Sequence, residues 1–296
     1  MSVTLNKKYE VLFFPRIEKT IEAKFEETAS IVKSNGVNSA ISALNNELTN
    51  PELTKEIQRL YATVGTRYAN DSYRQLKIKQ RGLRKPVKEI GFDSLETKAG
   101  GSFGFNETWV KWILNYLQTH LLENIVFNVN ATTRDHILRV LGRSISEGLG
   151  IDKTVQLLKN DTFSETQSAR IARTEVNIAS NAGTLAAGET YEYQMQKEWV
   201  AVTDFRTRGR NPDDHASHVA LNGTVIDFED VFTDSRNNDK LKSPGDPKAS
   251  AASIINCRCQ LTLKPKEDAR GRLIPKRRST VVIYPNQNRT QRTVLI

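Results

Sequence analysis

Hydrophobic residues recur every three or four positions through the first half of the chain, which predicts a succession of amphipathic helices. The first stripe consists of Ile17, Ile21, Phe25, Ile31 and Val32. It predicts a helix that begins near Arg16, after a short apolar arm over residues 1–15, and ends at Asn35-Gly36. Similar stripes predict helices over residues 37–48 and 53–80, so the first third of the chain should be a helical bundle.

The helical pattern continues in the middle of the chain. An aromatic stripe over residues 109–121 predicts a helix whose apolar face is core or an oligomer contact. Thr132 and Thr133 are predicted to cap a helix that runs through Leu141 and ends at residues 148–150, and Asp152 is predicted to cap the next. A longer helix is expected from Ser164 through an arginine-threonine-glutamate sequence.

The periodicity changes from helical to alternating after residue 191. Alternation predicts strands over residues 197–203, 224–228 and 260–263, with a long polar loop over residues 233–247. A further apolar stretch, residues 280–284, is also typical of a strand.

These patterns predict an α+β fold with three parts. The first, residues 1–130, is a mostly helical region. Residues 131–263 form a small α+β module, and residues 264–296 form an extended basic tail. Trp109, Trp112 and Tyr116 belong to helices that we expect to leave an apolar face open for a partner protein.

The composition is that of a soluble protein, with 38% hydrophobic and 26% charged residues. No run approaches the roughly 18 apolar residues that span a membrane. The first residues lack the layout of a secretory signal. The only two cysteines are two positions apart, which favours folding in a reducing compartment. We therefore expect no membrane partner.

Positive charge is concentrated in two segments. The chain carries +9 overall, yet residues 74–88 alone carry +7 without an acid, and residues 264–296 carry another +7. The remainder is therefore acidic, at −5. This asymmetry indicates contact with a polyanion, although basic loops are also often simply solvated. The candidate nucleic-acid contacts are Arg74, Lys77, Lys79, Arg81, Arg84, Lys85, Lys88, Lys276, Arg277 and Arg278.

The cysteines and half of the four histidines form two short pairs in one segment. Cys257 and Cys259 are too close in sequence for an unstrained disulfide between them. Together with His215 and His218 they offer two thiolates and two imidazoles, which is the ligand set of a closed tetrahedral zinc site. We therefore predict structural zinc. The alternative is that the histidines lie on a solvated turn and Cys257 is a small buried hydrophobic residue.

An enzymatic alternative uses Glu175, Asp204, His215 and His218 for metal-dependent hydrolysis of a phosphodiester. Four protein ligands would leave no position for a reactive water on the metal. The chain also lacks a phosphate-binding P-loop, a nucleophile elbow and a His-Glu-x-x-His motif. Asp204 and Arg206 are instead predicted to orient the metal ligands or to pair with each other. The prediction is that the protein is not an enzyme.

Several motifs in the second half resemble one known family. They are Arg170 to Asn177 (RIARTEVN), Lys197-Glu198-Trp199, Asp204-x-Arg206-Thr207-Arg208, His218-x-x-Leu221-Asn222-Gly223, Pro244-Gly245-Asp246-Pro247 and Ile255-Asn256-Cys257-Arg258-Cys259. Over residues 150–263 the chain resembles the phage Mu F-like minor head proteins. Many relatives carry Cys-x-x-Cys where this chain has His215-Ala216-Ser217-His218, and that exchange keeps the capacity to bind a metal.

The resemblance implies a structural minor head protein of a tailed bacteriophage, built into the procapsid near the portal. Residues 1–130 would then contact the portal protein, the major capsid protein or both, and the basic segments would contact packaged double-stranded DNA without reading its sequence. The protein would be found in the capsid interior near the portal vertex, and in the host cytoplasm during assembly. A role in genome packaging or ejection would follow from that position.

Two other functions remain alternatives. Domains of this family also resemble the leader modules of some toxins, so a metal-dependent nuclease or toxin-related effector is one of them. It would need a further catalytic domain, for which we expect no room after Cys259. A free DNA-binding regulator is the other, and it is disfavoured because the charge lies in a linker and a tail instead of on a recognition helix.

Overall fold

The chain is mostly helical, with a small antiparallel sheet in its C-terminal part, and this agrees with the predicted α+β class. The computed structural model describes residues 3–46, 50–80, 107–120 and 122–276. The helices are α1 (Val3–Asn35), α2 (Val37–Asn46), α3 (Pro51–Gln80), α4 (Glu107–His120), α5 (Leu122–Ser146), α6 (Ile151–Lys159), α7 (Phe163–Thr190), α8 (His218–Leu221) and α9 (Ala251–Ile254). The strands are β1 (Met195–Val200), β2 (Val225–Asp227), β3 (Phe232–Thr233), β4 (Lys240–Leu241) and β5 (Gln260–Pro265).

The predicted N-terminal arm is wrong, because α1 already begins at Val3. Tyr9 and Phe13 extend the buried stripe of Ile17 backwards at helical spacing, and all three side chains lie in the core. Pro15 lies inside the helix on its exposed face, so it does not interrupt the buried stripe. Packing of this stripe thus overrides the local effect of the proline on the helix.

The predicted helix caps in the middle of the chain are also wrong. Thr132 and Thr133 lie inside α5, where their hydroxyls donate to the carbonyls of Asn128 at 2.7 Å and Val129 at 2.8 Å. A threonine hydroxyl can satisfy itself on the preceding turn in this way, so it need not mark a helix start. Asp152 lies in the first turn of α6, and the N-cap position belongs to Gly150.

Helix α7 is the centre of the molecule. Most of its residues are buried, and it packs against α1, α3 and α4. Many of them are small, which allows neighbouring helices to approach closely. A β-carbon placed on Gly183 would lie 2.1 Å from the carbonyl oxygen of Gly65 in α3. The backbones of α3 and α7 therefore cross in contact at these two glycines.

One continuous hydrophobic core joins residues from α1 through α7. It contains members on both sides of residue 130, including Tyr61 before it and Val176 after it. Trp109 is only 5% exposed and packs in this core, while Trp112 and Tyr116 are partly buried against it. The expectation that these three residues leave an apolar face open is therefore wrong, because α7 and α3 cover it.

The C-terminal part is built on a three-stranded antiparallel sheet in the order β2-β1-β5. The side chains of Met195, Lys197 and Trp199 point inward along β1. This strand starts two residues earlier than predicted and ends at Val200, three residues before the predicted end. The predicted loop over residues 233–247 contains β4, which pairs with β3. The stretch 280–284 lies outside the described residues.

Lys197 occupies a fully buried position of β1 where an apolar residue would be expected. Its Nζ lies 5.8 Å from the ring centroids of Phe228 and of Phe232. Burial lowers the pKa of this ammonium to about 8.

Within the described ranges, no helix combines the length and the hydropathy that crossing a membrane requires.

Candidate metal centre

Three buried side chains converge in the C-terminal part of the protein. The Nδ1 atom of His218 lies 3.6 Å from the Sγ of Cys257 and 3.5 Å from the Sγ of Cys259. All three ligand atoms lie within 4.8 Å of one another. Zinc bonds of about 2.3 Å to sulfur and about 2.0 Å to nitrogen, at tetrahedral angles, place the two atoms roughly 3.5 Å apart. The spacing and the donor atoms of this group therefore fit zinc.

The backbone before the cysteines is held by the first part of α7. Asn256 has a left-handed backbone with φ of 58°, a conformation that asparagine tolerates better than most residues. Its N–H donates to the hydroxyl of Thr174 at 3.0 Å, and its side-chain carbonyl accepts from Arg173 at 3.2 Å. These contacts fix the turn that leads into Cys257.

The backbone after the cysteines is held by Asn181, two turns further along α7. Its Nδ2 donates to the carbonyls of Pro244 and Cys259, both at 3.1 Å. Its Oδ1 accepts from the N–H of Leu261 at 2.8 Å. The side chain is 1% exposed, so its loss would leave several buried backbone groups without partners. One buried amide thus connects the helical core to the second cysteine.

The backbone before His218 is held by the carboxylate of Asp234. Asp234 is fully buried and accepts from the N–H of Ser217 at 2.7 Å and from the N–H of Arg236 at 2.8 Å. Ser217 directly precedes the short helix α8, whose first residue is His218. The edge of Trp199 packs against the imidazole, with ring centroids 5.1 Å apart. Asp234 therefore fixes the backbone before His218, and Trp199 packs against its ring.

Asp204 supports the cysteine side. Its carboxylate binds the guanidinium of Arg258 through two hydrogen bonds, of 2.5 and 2.6 Å. Arg258 lies between the two cysteines in the sequence, so these two hydrogen bonds tie the Cys-x-Cys segment to Asp204. Arg206 is a weaker partner at 3.8 Å, and the predicted Asp204–Arg206 pair is thus secondary to one that the sequence analysis missed. The Arg258 hydrogen bonds hold the pKa of Asp204 far below its usual range.

The pKa values of the two thiols shift in opposite directions, because both sulfur atoms lie in the same small buried space. The thiol of Cys259 and the imidazole of His218 hydrogen-bond to Cys257 and lower its pKa well below the usual value. Once the first thiolate has formed, its hydrogen bond and charge, together with burial, raise the pKa of Cys259. A divalent cation would stabilise both thiolates together, since metal binding requires the deprotonated sulfur.

The structure brings together three of the four predicted ligands. His215 lies on the exposed surface and is not part of the group that contains His218. The spacing of three residues therefore does not place both imidazoles together. Sequence reasoning also missed Asp234 and Asn181. A buried asparagine among the small residues of α7 was the available signal for the latter.

The predicted nucleic-acid residues divide into three sets. Arg74 and Lys79 are exposed on α3. Lys77 forms a 2.5 Å ion pair with Glu192, and Lys276 donates to the carbonyls of Gly188 and Glu189 near the end of α7. The remaining six lie outside the described residues: Arg81, Arg84, Lys85, Lys88, Arg277 and Arg278.

The residues of the enzymatic alternative do not form one group in the described part of the chain. Glu175 lies in the helical core, where the hydroxyl of Tyr61 donates to its carboxylate at 2.8 Å. Burial raises the pKa of Glu175 to about 7. This carboxyl group therefore belongs to the α3–α7 packing.

Glu175 should make stability depend on pH. A buried carboxyl with a pKa near 7 keeps its proton up to higher pH than the same group in the unfolded chain, near 4.5. The contribution of Glu175 to stability is therefore largest below pH 4.5 and is lost as the pH rises to about 7, by about 3 kcal/mol in total. Glu175→Gln keeps an acceptor for Tyr61 but cannot ionise, so this loss should disappear in urea titrations at pH 4.5 to 8.

The exposed Glu147→Gln serves as the control for this measurement and should retain the pH dependence of the unaltered protein. A Glu175→Gln variant whose stability falls with pH as steeply as that of the unaltered protein would contradict the assignment.

The region that contains the three converging side chains matches a known protein family. Residues 135–262 match the family described as Phage Mu protein F like protein, and this range contains all three converging ligands. Residues 135–262 are a phage Mu F-like domain. The resemblance noted in the sequence is thereby confirmed, and the phage Mu F-like domain indicates a phage head morphogenesis protein.

A curated relative is the uncharacterized protein YqbB of Bacillus subtilis (strain 168), which is 27% identical over 180 residues. The match covers 60% of this chain, which spans about half (54%) of the relative's length. No solved structure matches the chain at a significant level.

Proposed function

We propose that this protein is a structural minor head protein of a tailed bacteriophage, built into the procapsid near the portal vertex. The observation that carries the proposal is the phage Mu F-like domain over residues 135–262. The matched domain is not separate from the N-terminal helices, because its helix α7 packs against α1, α3 and α4.

The proposed cofactor is structural zinc. The ligands come from two segments about forty residues apart, joined by loops and very short strands that bury few apolar side chains. A metal that binds His218, Cys257 and Cys259 would cross-link these segments, as zinc does in small domains without a large core. His215, on the surface nearby in sequence, is the proposed fourth ligand.

The proposed partners are the portal or major capsid protein and packaged double-stranded DNA. Exposed Arg74 and Lys79, together with the basic residues beyond residue 276, support phosphate contacts that do not depend on sequence. The attachment to the shell is proposed to lie in residues 1–130. In the described part of that range, large apolar side chains remain exposed at Val11 (64%) and Phe127 (56%). A role in packaging or ejection would follow from contact with both DNA and portal.

Incorporation into heads tests the proposed attachment. Since the helical core crosses residue 130, truncation would disrupt folding, and point variants are the sharper tool. Val11→Asp and Phe127→Asp each place a charge on an exposed apolar position. We expect them to reduce the amount of this protein in purified heads at least tenfold, because the charge would be desolvated at the contact. Quantitative mass spectrometry of the heads measures the effect.

The matched control is Val231→Asp, at a 44% exposed position in the C-terminal part. It should leave incorporation unchanged. Full incorporation of both N-terminal variants, together with exclusion of Val231→Asp, would move the attachment to the other end of the molecule. Absence of the unaltered protein from purified heads would refute the proposed function itself.

A further inference from the structure

A cleft of about 420 Å³ lies beside the candidate metal centre, between the helical core and the C-terminal part. Helices α1 and α7 form one wall, and the loops before α8 and β5 form the other. Its cationic lining residues are Lys7, Arg173, Arg206, Arg208 and Arg258, and Cys257 of the candidate metal centre also lines it. None of the predicted nucleic-acid contacts is among them.

The cleft has a strong excess of positive charge. Five of its lining residues are cationic and two are acidic, which leaves a net charge of +3. One acid, Asp214, is already engaged by the backbone N–H groups of Gly209 at 2.7 Å and Asn211 at 3.1 Å. The other, Glu10, lies 3.7 Å from Arg173 and 3.9 Å from Lys7. The site therefore attracts anions.

Several donors in the cleft are not occupied by strong ion pairs. The side chain of Arg206 is 62% exposed, and its contact to a carboxylate is a long one of 3.8 Å. Arg208 donates to the backbone carbonyl of Ile255, which is neutral. Arg173 donates to the side-chain amide of Asn256 at 3.2 Å. Three guanidinium groups can thus add hydrogen bonds to a ligand without losing a short ion pair.

A buried amide supplies an independent indication of a ligand. Asn177 is 2% exposed and lines the cleft. Its Oδ1 accepts from Asn6 at 3.3 Å and from Gln260 at 2.9 Å, whereas its Nδ2 has no hydrogen-bond partner in the described structure. A buried donor without an acceptor costs about 1–3 kcal/mol, and a ligand oxygen in the cleft would recover that free energy.

We propose that this arginine cleft binds a backbone phosphate of DNA. Guanidinium forks and amide N–H groups match the oxygens of a phosphate. Phe205 lies at the same loop with 85% of its side chain exposed, and Arg206 lies over its ring at 5.6 Å. Aromatic rings beside arginines stack on the bases of single strands, so Phe205 does not by itself indicate a duplex. The proposed position of the protein beside packaged DNA favours a DNA phosphate over an acidic protein segment as the ligand.

This proposal rests on the proposed position of the protein beside packaged DNA, but its test uses purified full-length protein and does not depend on heads. Binding of a labelled 20-base-pair duplex is measured by fluorescence anisotropy over a range of salt concentrations. The Arg206→Gln/Arg208→Gln variant should bind more weakly, and the slope of log affinity against log salt should fall by about 1 to 2. Arg206→Gln alone, at a largely exposed position, should lower it by about 1.

The matched control is Arg134→Gln/Arg143→Gln, which removes two arginines from α5, away from the cleft lining. It should keep the slope of the unaltered protein. Equal slopes for the cleft variant and this control would overturn the proposal, because the basic tail would then account for all binding.

Two further probes distinguish the sources of the anion. Inorganic phosphate that binds in an Arg206-dependent manner, without any effect of the variant on DNA, would overturn DNA as the ligand. The same result with a polyglutamate peptide would assign the cleft to an acidic protein partner instead. Cleft-dependent loss of duplex binding, with the melting temperature unchanged, supports the proposal.

Discussion

Removal of zinc from the full-length protein is expected to lower its melting temperature by roughly 8 °C or more. His218, Cys257 and Cys259 are buried around one point. Without a cation, the pKa of the Cys257 thiol is lowered and that of the Cys259 thiol is raised, so the two sulfur atoms do not ionise together. A ligand present at a thousand times its dissociation constant stabilises the folded state by about 4 kcal/mol. For a chain of this size, each kcal/mol corresponds to about 2–4 °C. Scanning calorimetry with and without a chelator measures the shift.

Single substitutions at the ligands should give the same loss without chelator. Cys257→Ser, Cys259→Ser and His218→Ala should each bind less than one zinc per chain by elemental analysis. His215→Ala should have the smallest effect of the four, because that side chain is exposed and lies outside the group. A protein purified without metal, whose melting temperature is also indifferent to Cys257→Ser and His218→Ala, would refute the metal site.

Gly183→Ala is expected to destabilise the protein by about 3 kcal/mol or more, although it adds a single methyl group. The new β-carbon would lie 2.1 Å from the Gly65 carbonyl oxygen and 3.0 Å from the Ala69 nitrogen, which are both backbone atoms. Side-chain rotation cannot relieve such contacts, so α3 and α7 would have to separate along their whole interface. Overpacking of a core costs typically about 1–3 kcal/mol, and a clash between backbones belongs at the upper end.

The matched control is Gly142→Ala in α5. A β-carbon there would meet no atom within 4 Å, so only helix propensity changes and stability should rise by up to about 1 kcal/mol. Urea unfolding of both variants measures the difference. Equal stability of Gly183→Ala and the unaltered protein would mean that the two helices do not cross at these glycines.

The helices were largely predictable, because their buried stripes repeat over many turns. Local signals were less reliable where tertiary packing opposed them. Pro15 and the preceding residues suggested a separate arm, yet Tyr9 and Phe13 bury enough apolar surface to keep that segment helical. Lys197 in β1 is a similar case. The alternation of the strand was visible, but nothing in it indicated that an ammonium group would be buried against Phe228 and Phe232.

At the candidate site, residue type predicted three side chains that converge in the structure, but not the residues that support them. Two thiols and an imidazole are rare enough in this chain to be recognised without a structure. Asn181 and Asp234 are ordinary polar residues in the sequence, and their roles depend on partners up to 80 residues away. The same holds for the partner of Asp204. Arg206 is the closer candidate in sequence, but the fold brings Arg258 nearer.

The position of Asn181 has a consequence for the order in which the protein is assembled on the ribosome. The helices against which α7 packs, α1, α3 and α4, all precede it in the chain, so they are synthesised first. The carbonyls that Asn181 binds arrive 63 and 78 residues later, at Pro244 and Cys259. Since domains fold progressively as they emerge, the second cysteine docks on a helix that already has its core partners. Capture of the proposed zinc would then be a late event, after the helical core has formed.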